Sequence, residues 1–351
     1  MDIIAQLGLR WPIFQAPMAG VSTPAMAAAV SNAGGLGALG LGAAGVDAAR
    51  AMIRETRGLT ARPFNANFFC HDPARRDAGS EAAWLQALAP EFARFGASPP
   101  DRLHEIYTSF VADPAMYDMV LDEKPGVVSL HFGLPDPAWI KGLKEAGNLV
   151  LASATSLDEA HAAERAGVDA VVAQGIEAGG HRGMFDPDAP DEALTTDALV
   201  TRLVAGIGLP VIAAGGLMTG ADVARVMGLG AVAAQLGTAF LDCTESAADA
   251  GYRAALRALH SQPPVLTKAI SGRPARCLQN RFTEWGAGRD GVPDYPVTYD
   301  AGKALHGVAK AQGEHGYGAH WAGTGVARTR HGEAAAILAD IATEWRAAGQ
   351  G

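Results

Sequence analysis

Cysteine is scarce in this chain. Cys70, Cys243 and Cys277 are the only three in 351 residues, far apart and never in a CxxC pair. They offer neither a disulfide framework nor a structural zinc site, and they suit a reducing compartment, so a cytoplasmic location is expected. Positive charge is short as well. Lys and Arg number 28 against 37 Asp and Glu, a formal net charge of -9, which excludes the clustered basic surface that nucleic acid requires. Strongly apolar runs are missing too. The uncharged stretch 24–46 is mostly Ala and Gly, broken by Ser31 and Asn32, and is too weakly apolar for a bilayer. The opening MDIIAQLGLRWP has no basic segment ahead of an apolar one, so no signal peptide is expected. Neither a nucleic acid nor a membrane is an expected partner.

What is abundant is glycine, 43 residues, in a composition that is 49% hydrophobic and 19% charged, as in a globular protein. One pattern recurs: a glycine closing a helix-like segment, then a short run of small or branched apolar residues. It appears in SNAGGLGALGL, KEAGNLVLASA, ERAGVDAVVAQG and MGLGAVAAQLG. Glycine suits the left-handed position past a helix end, and an unalternating apolar run suits a parallel strand buried on both faces. With PIFQAPM, FNANFF, VVSLHFG and PVIAAGG, the strands fall at 12–18, 35–41, 64–69, 127–133, 148–154, 170–175, 210–216 and 231–237.

Helix-like segments lie between most neighbours, among them 156–167, where Ser156 is placed to cap and Glu159 to complete a capping box. Eight βα units predict a closed (β/α)8 barrel, with an open doubly wound sheet as the structural alternative. Residues 70–126 are too long for one crossover and predict extra helices, including 81–95. After Phe240 the strand pattern stops. The expected organisation is a barrel over 1–241, a smaller, mainly helical second domain over 242–320 near the barrel mouth, and a segment over 321–351 whose helix returns to the barrel.

Barrel chemistry gathers where strands end. Those positions read APMAG, NANFF, LHFG, AQGIEAGGHRG, AAGGL and QLGTAF. The last two follow the seventh and eighth strands, where backbone N–H groups and a helix N-terminus bind phosphate. Gly215, Gly216, Gly237 and Thr238 are therefore the expected cradle. Gly35, Gly37 and Gly40 spell GxGxxG, but they follow a helix and lie within a strand, with Asp47 too near to be the acidic partner, so no Rossmann site is read there.

QAPMAG, EAGGHRG, AAGGL and QLGT together resemble the nitronate monooxygenases, formerly called 2-nitropropane dioxygenases. The resemblance runs from residue 12 to about 240, with weaker matches to AGTGVARTR at 322–330. It implies a barrel holding FMN beneath a covering domain. Carried across by motif, the flavin contacts would be Ala16, Pro17 and Met18, with Asn67, Gln174, Gly179 and Gly180. Gly215 and Gly216, with Gln235, Leu236, Gly237 and Thr238, would hold the phosphate end. His181 would face the substrate as a base toward neutral nitroalkanes, a task that suits an imidazole titrating near neutrality. The resemblance also implies Tyr107, Tyr252, Tyr295, Tyr299 and Lys303 around the substrate. The last three are four residues apart and would share a helical face, although Pro296 interrupts the first turn. Arg182 is expected in solvent or paired with an acid such as Glu177.

The implied activity is oxidation of an alkyl nitronate, typically propionate 3-nitronate, with O2 to a carbonyl product and nitrite through a flavin semiquinone. Its partners would be a small nitronate or nitroalkane and O2, and any assembly a homodimer. Two other readings share the barrel: an FMN-dependent NAD(P)H reductase of quinones or enoyl thioesters, and a non-catalytic barrel binding phosphate ligands. Elsewhere, His315 and His320 lack zinc spacing, so no metal is expected. Cys70 beside His71 reads as a buried thiol rather than a nucleophile, and Ser129 and Ser153 have no nucleophile-elbow context.

Overall fold

In the computed structural model, which describes residues 2–258 and 262–349, eight parallel strands close on themselves. Numbered in chain order, the strands are β1 (Ile13–Gln15), β2 (Gly37–Gly40), β3 (Phe64–Phe69), β4 (Gly126–His131), β5 (Leu149–Ala154), β6 (Ala170–Gln174), β7 (Gly180–His181), β8 (Val211–Ala214), β9 (Ala233–Leu236), β10 (Val265–Thr267) and β11 (Ala275–Cys277). Around the barrel the order is β1-β9-β8-β6-β5-β4-β3-β2. The ends meet where Phe14 bridges Leu36, with the Gln15 N–H donating to the Leu36 carbonyl at 2.9 Å. This closure rules out the open sheet. Each of the eight expected strands overlaps an observed one.

The apolar runs have the expected cause. Every residue of β5 and β6 is buried, because one face fills the barrel and the other meets the helices. Phe14, Leu151, Val172 and Ile212 pack inside, together with Ile3 from the helix Ile3–Gln6. Ile13, Val150, Val171 and Ala213 pack outward. The four junction glycines, Gly34, Gly147, Gly167 and Gly230, all sit at φ between +87° and +100°, the left-handed turn that a Cβ disfavours.

Ser156 caps the helix Leu157–Ala166, but the capping box is not completed. The Glu159 carboxylate instead accepts from the Thr155 and Phe185 N–H groups, at 2.6 and 2.8 Å. It is drawn off by a donor far along the chain, which pins the start of this helix to the segment after β7.

A second core lies beside the barrel. The helix Ala78–Ala93 brings Trp84, Leu88 and Phe92 against Phe282, Leu305 and Tyr317, the helix Val297–Lys310 lying between. Among the described residues of 242–320, the helices Ala250–Arg257, Arg281–Gly286 and Val297–Lys310 stand between longer irregular segments, with one addition to the expected pattern. β10, β11 and β7 form a three-stranded antiparallel sheet, His181 opposite Ala275. Strands of two or three residues carry no readable alternation, since their partners supply the order. The helix Ala334–Ala348 returns to pack against Gly220–Gly228 and Pro24–Asn32. Among the described residues no helix is long and apolar enough to cross a membrane.

Candidate active site

The carboxyl ends of the barrel strands open into a cavity of about 530 Å³, covered by residues 247–252, 295–310 and 317–321. Ala16, Pro17 and Met18 line it after β1, Asn67 in β3, Gln174 in β6, Gly179 and Gly180 before His181, and Gly215, Gly216, Gln235, Gly237 and Thr238 at the last two strands. Leu236 does not. Its side chain is buried in the barrel wall, and its carbonyl accepts from the Ala16 N–H at 2.8 Å. In a strand ending Gln235–Leu236, alternation sends one side chain to the cavity and the next to the wall.

One end of the cavity is a cradle of main chain. Among the described residues, the N–H groups of Gly215, Gly216, Gly237 and Thr238 find no acceptor within the chain. Unpaired N–H groups at a turn are what an anionic oxygen replaces water on. Gly216 stands at φ +68°, and a Cβ there would come within 2.9 Å of the Glu177 Cβ. The AGTG segment, which sequence reasoning left without a role, reaches in behind. Gly323 donates its N–H to Thr238 Oγ1 at 3.0 Å, and Thr324 donates to the Glu177 carbonyl.

The wall of the cavity carries two carboxamides. Asn67 Nδ2 donates to Ser129 Oγ at 2.9 Å, while Gln174 spans the loop, donating to the His181 carbonyl and accepting from the Gly183 N–H. Each carboxamide carries both donor and acceptor capacity toward a heterocycle edge. Anion cradle, carboxamides and volume together fit FMN.

Arg182 takes the second of its two expected fates, pairing with an acid, but the acid is Asp191 and not Glu177. Arg182 is 1% exposed and does not meet Glu177, whose carboxylate accepts from the Thr196 N–H and hydroxyl at 2.9 Å. The Arg182 guanidinium forks onto Asp191 at 2.8 and 2.9 Å and donates to the Gln174 and Gly175 carbonyls. Burial works against the ionised Asp191 carboxyl, but the fork more than offsets it and holds that group below the ordinary carboxylate range. Arg182 thus fastens the GIEAGGHRG loop and is unavailable to a substrate.

His181 projects into an aromatic enclosure. Its ring lies 5.1 Å from Trp321, 5.4 Å from Tyr295 and 5.6 Å from Phe132. Its Nε2 is 2.9 Å from Ser271 Oγ, which also reaches the Arg273 carbonyl at 3.4 Å. In the tautomer in which the hydroxyl donates to that carbonyl and Nε2 donates to the hydroxyl, Nδ1 is the free acceptor. Tyr299 and Lys303 occupy one helical face, whereas Tyr295 precedes the helix, before Pro296, and still enters the enclosure. Lys303 Nζ lies 4.8 Å above the Tyr107 ring. Burial raises the Tyr107 and Tyr295 phenols and pushes Tyr299 up to about 12, so all three stay protonated donors. Tyr252 lines the cavity too, but its hydroxyl is committed to the Trp321 carbonyl.

Three further residues escaped the sequence reading. His131, at the end of β4, lines the cavity with Nδ1 2.9 Å from Ser153 Oγ. Ser271 orients His181. Arg273 is a buried guanidinium over the Phe132 face at 4.3 Å, donating to the Met184 carbonyl but with its Nε unpartnered. LHFG flagged the neighbourhood of His131; nothing marked Ser271 or Arg273, which no motif surrounds. Cys70 is a buried thiol raised by burial, beside the equally buried His71.

Burial, then the charge of Arg273, lowers His131 to about 3; burial, then His131 and Arg273, does the same to His181. An unfolded imidazole takes its proton near 6.5, whereas the folded ones resist it until about 3. Between those values the unfolded chain binds more protons, so stability falls as pH falls. The thermal midpoint is expected to drop continuously from pH 6.5 toward 3, with a proton uptake on unfolding that calorimetry in buffers of different ionisation enthalpy would count. A flat midpoint and zero uptake across that window would contradict neutral buried rings.

Comparison with known proteins bears on this geometry. The nitronate monooxygenase family matches residues 2–344. The chain is 58% identical over 344 residues to a nitronate monooxygenase of Paraburkholderia phytofirmans, covering 97% of this chain and 94% of that one. It is 51% identical over 342 residues to a nitronate monooxygenase of Pseudomonas aeruginosa, covering 97% of each. Among solved structures, a nitroalkane oxidase from Streptomyces ansochromogenes superposes with a TM-score of 0.91 at 38% identity, covering 99% of both chains.

Proposed function

The chain belongs to the nitronate monooxygenase family, and from that premise we propose that it is an FMN-dependent monooxygenase that oxidises alkyl nitronates with O2 to a carbonyl product and nitrite. Propionate 3-nitronate is the proposed substrate. FMN, when bound, supplies the electron-accepting chemistry. The chain's own residues do the rest.

The observation that carries this reading is His181: an imidazole held at Nε2 by Ser271, with Nδ1 without a partner among the described residues, facing a cavity fit for a flavin. Toward a neutral nitroalkane, Nδ1 takes the proton from the carbon bearing the nitro group. The burial that keeps the ring neutral also opposes its protonation. The nitronate formed beside it restores the balance, because an anion in contact favours the charged ring. Tyr295 and Tyr299 offer O–H donors to that anion, while Trp321 keeps water from the reacting carbon. The covering segments 247–252, 295–310 and 317–321 complete the site. Three buried, unpaired cysteines fit a cytoplasmic enzyme.

The test is nitrite release from the yellow holoprotein given a nitronate and air, with flavin bleaching followed anaerobically. Bleaching by nitronate and not by NADH is the expected result. Rapid bleaching by NADH without nitrite release would replace this reading with a reductase.

A further inference from the structure

The cavity does not end at His181. Along the helix Val297–Lys310, the side chains of Tyr299, Lys303, His306 and Lys310 all line it. They follow one another at helical spacing, so they form a single stripe that runs from the aromatic enclosure outward. At 1.5 Å per residue, the seven steps from Tyr299 to His306 span roughly 10 Å. Opposite the stripe stand Tyr252 and His320, their rings stacked at 4.8 Å.

The polar groups of this outer half are poorly used. His320 is buried, and neither ring nitrogen has a hydrogen-bond partner among the described residues. His306 sits 6.4 Å from it, ring centre to ring centre, with Nδ1 buried and unpartnered. Lys310 is neutralised by Asp249 at the rim, whereas Lys303 pairs with no carboxylate among the described residues and rests only on the Tyr107 and Tyr299 rings. Buried polar groups seldom go without partners. An open cation followed by two imidazoles with unused N–H capacity matches an anionic oxygen group, and the aromatic wall before them matches an alkyl chain. Burial keeps both imidazoles neutral, so they act as N–H donors and not as charges.

We propose that this outer half is a tail subsite, in which Lys303, His306 and His320 hold a terminal carboxylate borne several carbons from the nitronate carbon. The substrate class is therefore ω-carboxyalkyl nitronates, with room for chains longer than the three-carbon member. This deepens the nitronate reading above and rests on it.

The test uses the holoenzyme and three nitronates: the three-carbon carboxylate, its six-carbon homologue, and the nitronate of 1-nitrohexane, which lacks the tail carboxylate. The six-carbon carboxylate is expected to exceed its methyl-ended counterpart in kcat/KM by about tenfold, one charge-assisted contact's worth. His306→Leu and, separately, Lys303→Met are each expected to cut that ratio severalfold. The ratio is the readout because a general loss of fold or turnover does not move it. Adipate, the six-carbon dicarboxylate, should inhibit competitively and bind measurably by calorimetry in the yellow protein, more weakly in either variant. Equal kcat/KM for the six-carbon nitronates with and without the tail carboxylate, an unchanged ratio in both variants, or noncompetitive adipate would overturn the subsite. Failure to turn over any nitronate would instead sink the function itself, and adipate calorimetry on wild type and variants would still decide the subsite.

Discussion

A His181→Asn variant is expected to lose roughly 10²–10⁴-fold in kcat/KM toward a neutral nitroalkane, the usual contribution of a positioned base, and far less toward the preformed nitronate. The asymmetry is the point. A carbon acid must give up its proton before it is oxidised, whereas the nitronate has already done so. Asparagine keeps a polar side chain near Ser271 and so spares the enclosure, but its amide cannot accept a proton at working pH. Parallel assays on the two substrate forms, with the flavin absorbance confirming occupancy, check this. Equal losses on both forms would assign His181 to binding or to packing instead.

Arg182→Met is the second large effect. Arg182 is sealed from water, and its loss takes its donors from the Gln174 and Gly175 carbonyls, leaving Gly175 only the Ala178 N–H, and leaves Asp191 without its fork. Removing one partner of a buried, hydrogen-bonded pair costs about 3–5 kcal/mol, against a total stability that for most domains is only about 5–15 kcal/mol. Methionine nearly matches the arginine stem in bulk, so the loss reports the polar contacts and not a cavity. Denaturant unfolding should show the drop, and the released loop should weaken flavin retention at the same time. A loss below about 1 kcal/mol, the value of an exposed ion pair, would mean that the fork is ornamental.

The two variants also show what a reader of the sequence could and could not see. Strands such as Leu149–Ala154 are buried on both faces, so their apolar runs announce themselves, and the glycines before them mark where helices stop. His181 stood out because glycines surround it. Arg182 did not, because its fate depends on Asp191, on a loop with no periodicity of its own. Ser271 and Arg273 were invisible for a stronger reason: they meet the site only after β10 and β11 fold back on β7. Leu236 misled in the opposite sense, since a motif names consecutive residues while a strand shows only alternate ones to the cavity.

The reach of Gly323 back to Thr238, 85 positions earlier, places the phosphate cradle in time as well as in space. Until the residues around Gly323 have cleared the ribosome, the barrel can gather its strands, yet the main-chain backing behind the cradle is absent. Capture of the flavin therefore follows synthesis of the segment around Gly323, and nascent chains halted shortly after the eighth barrel strand should emerge folded in outline and colourless.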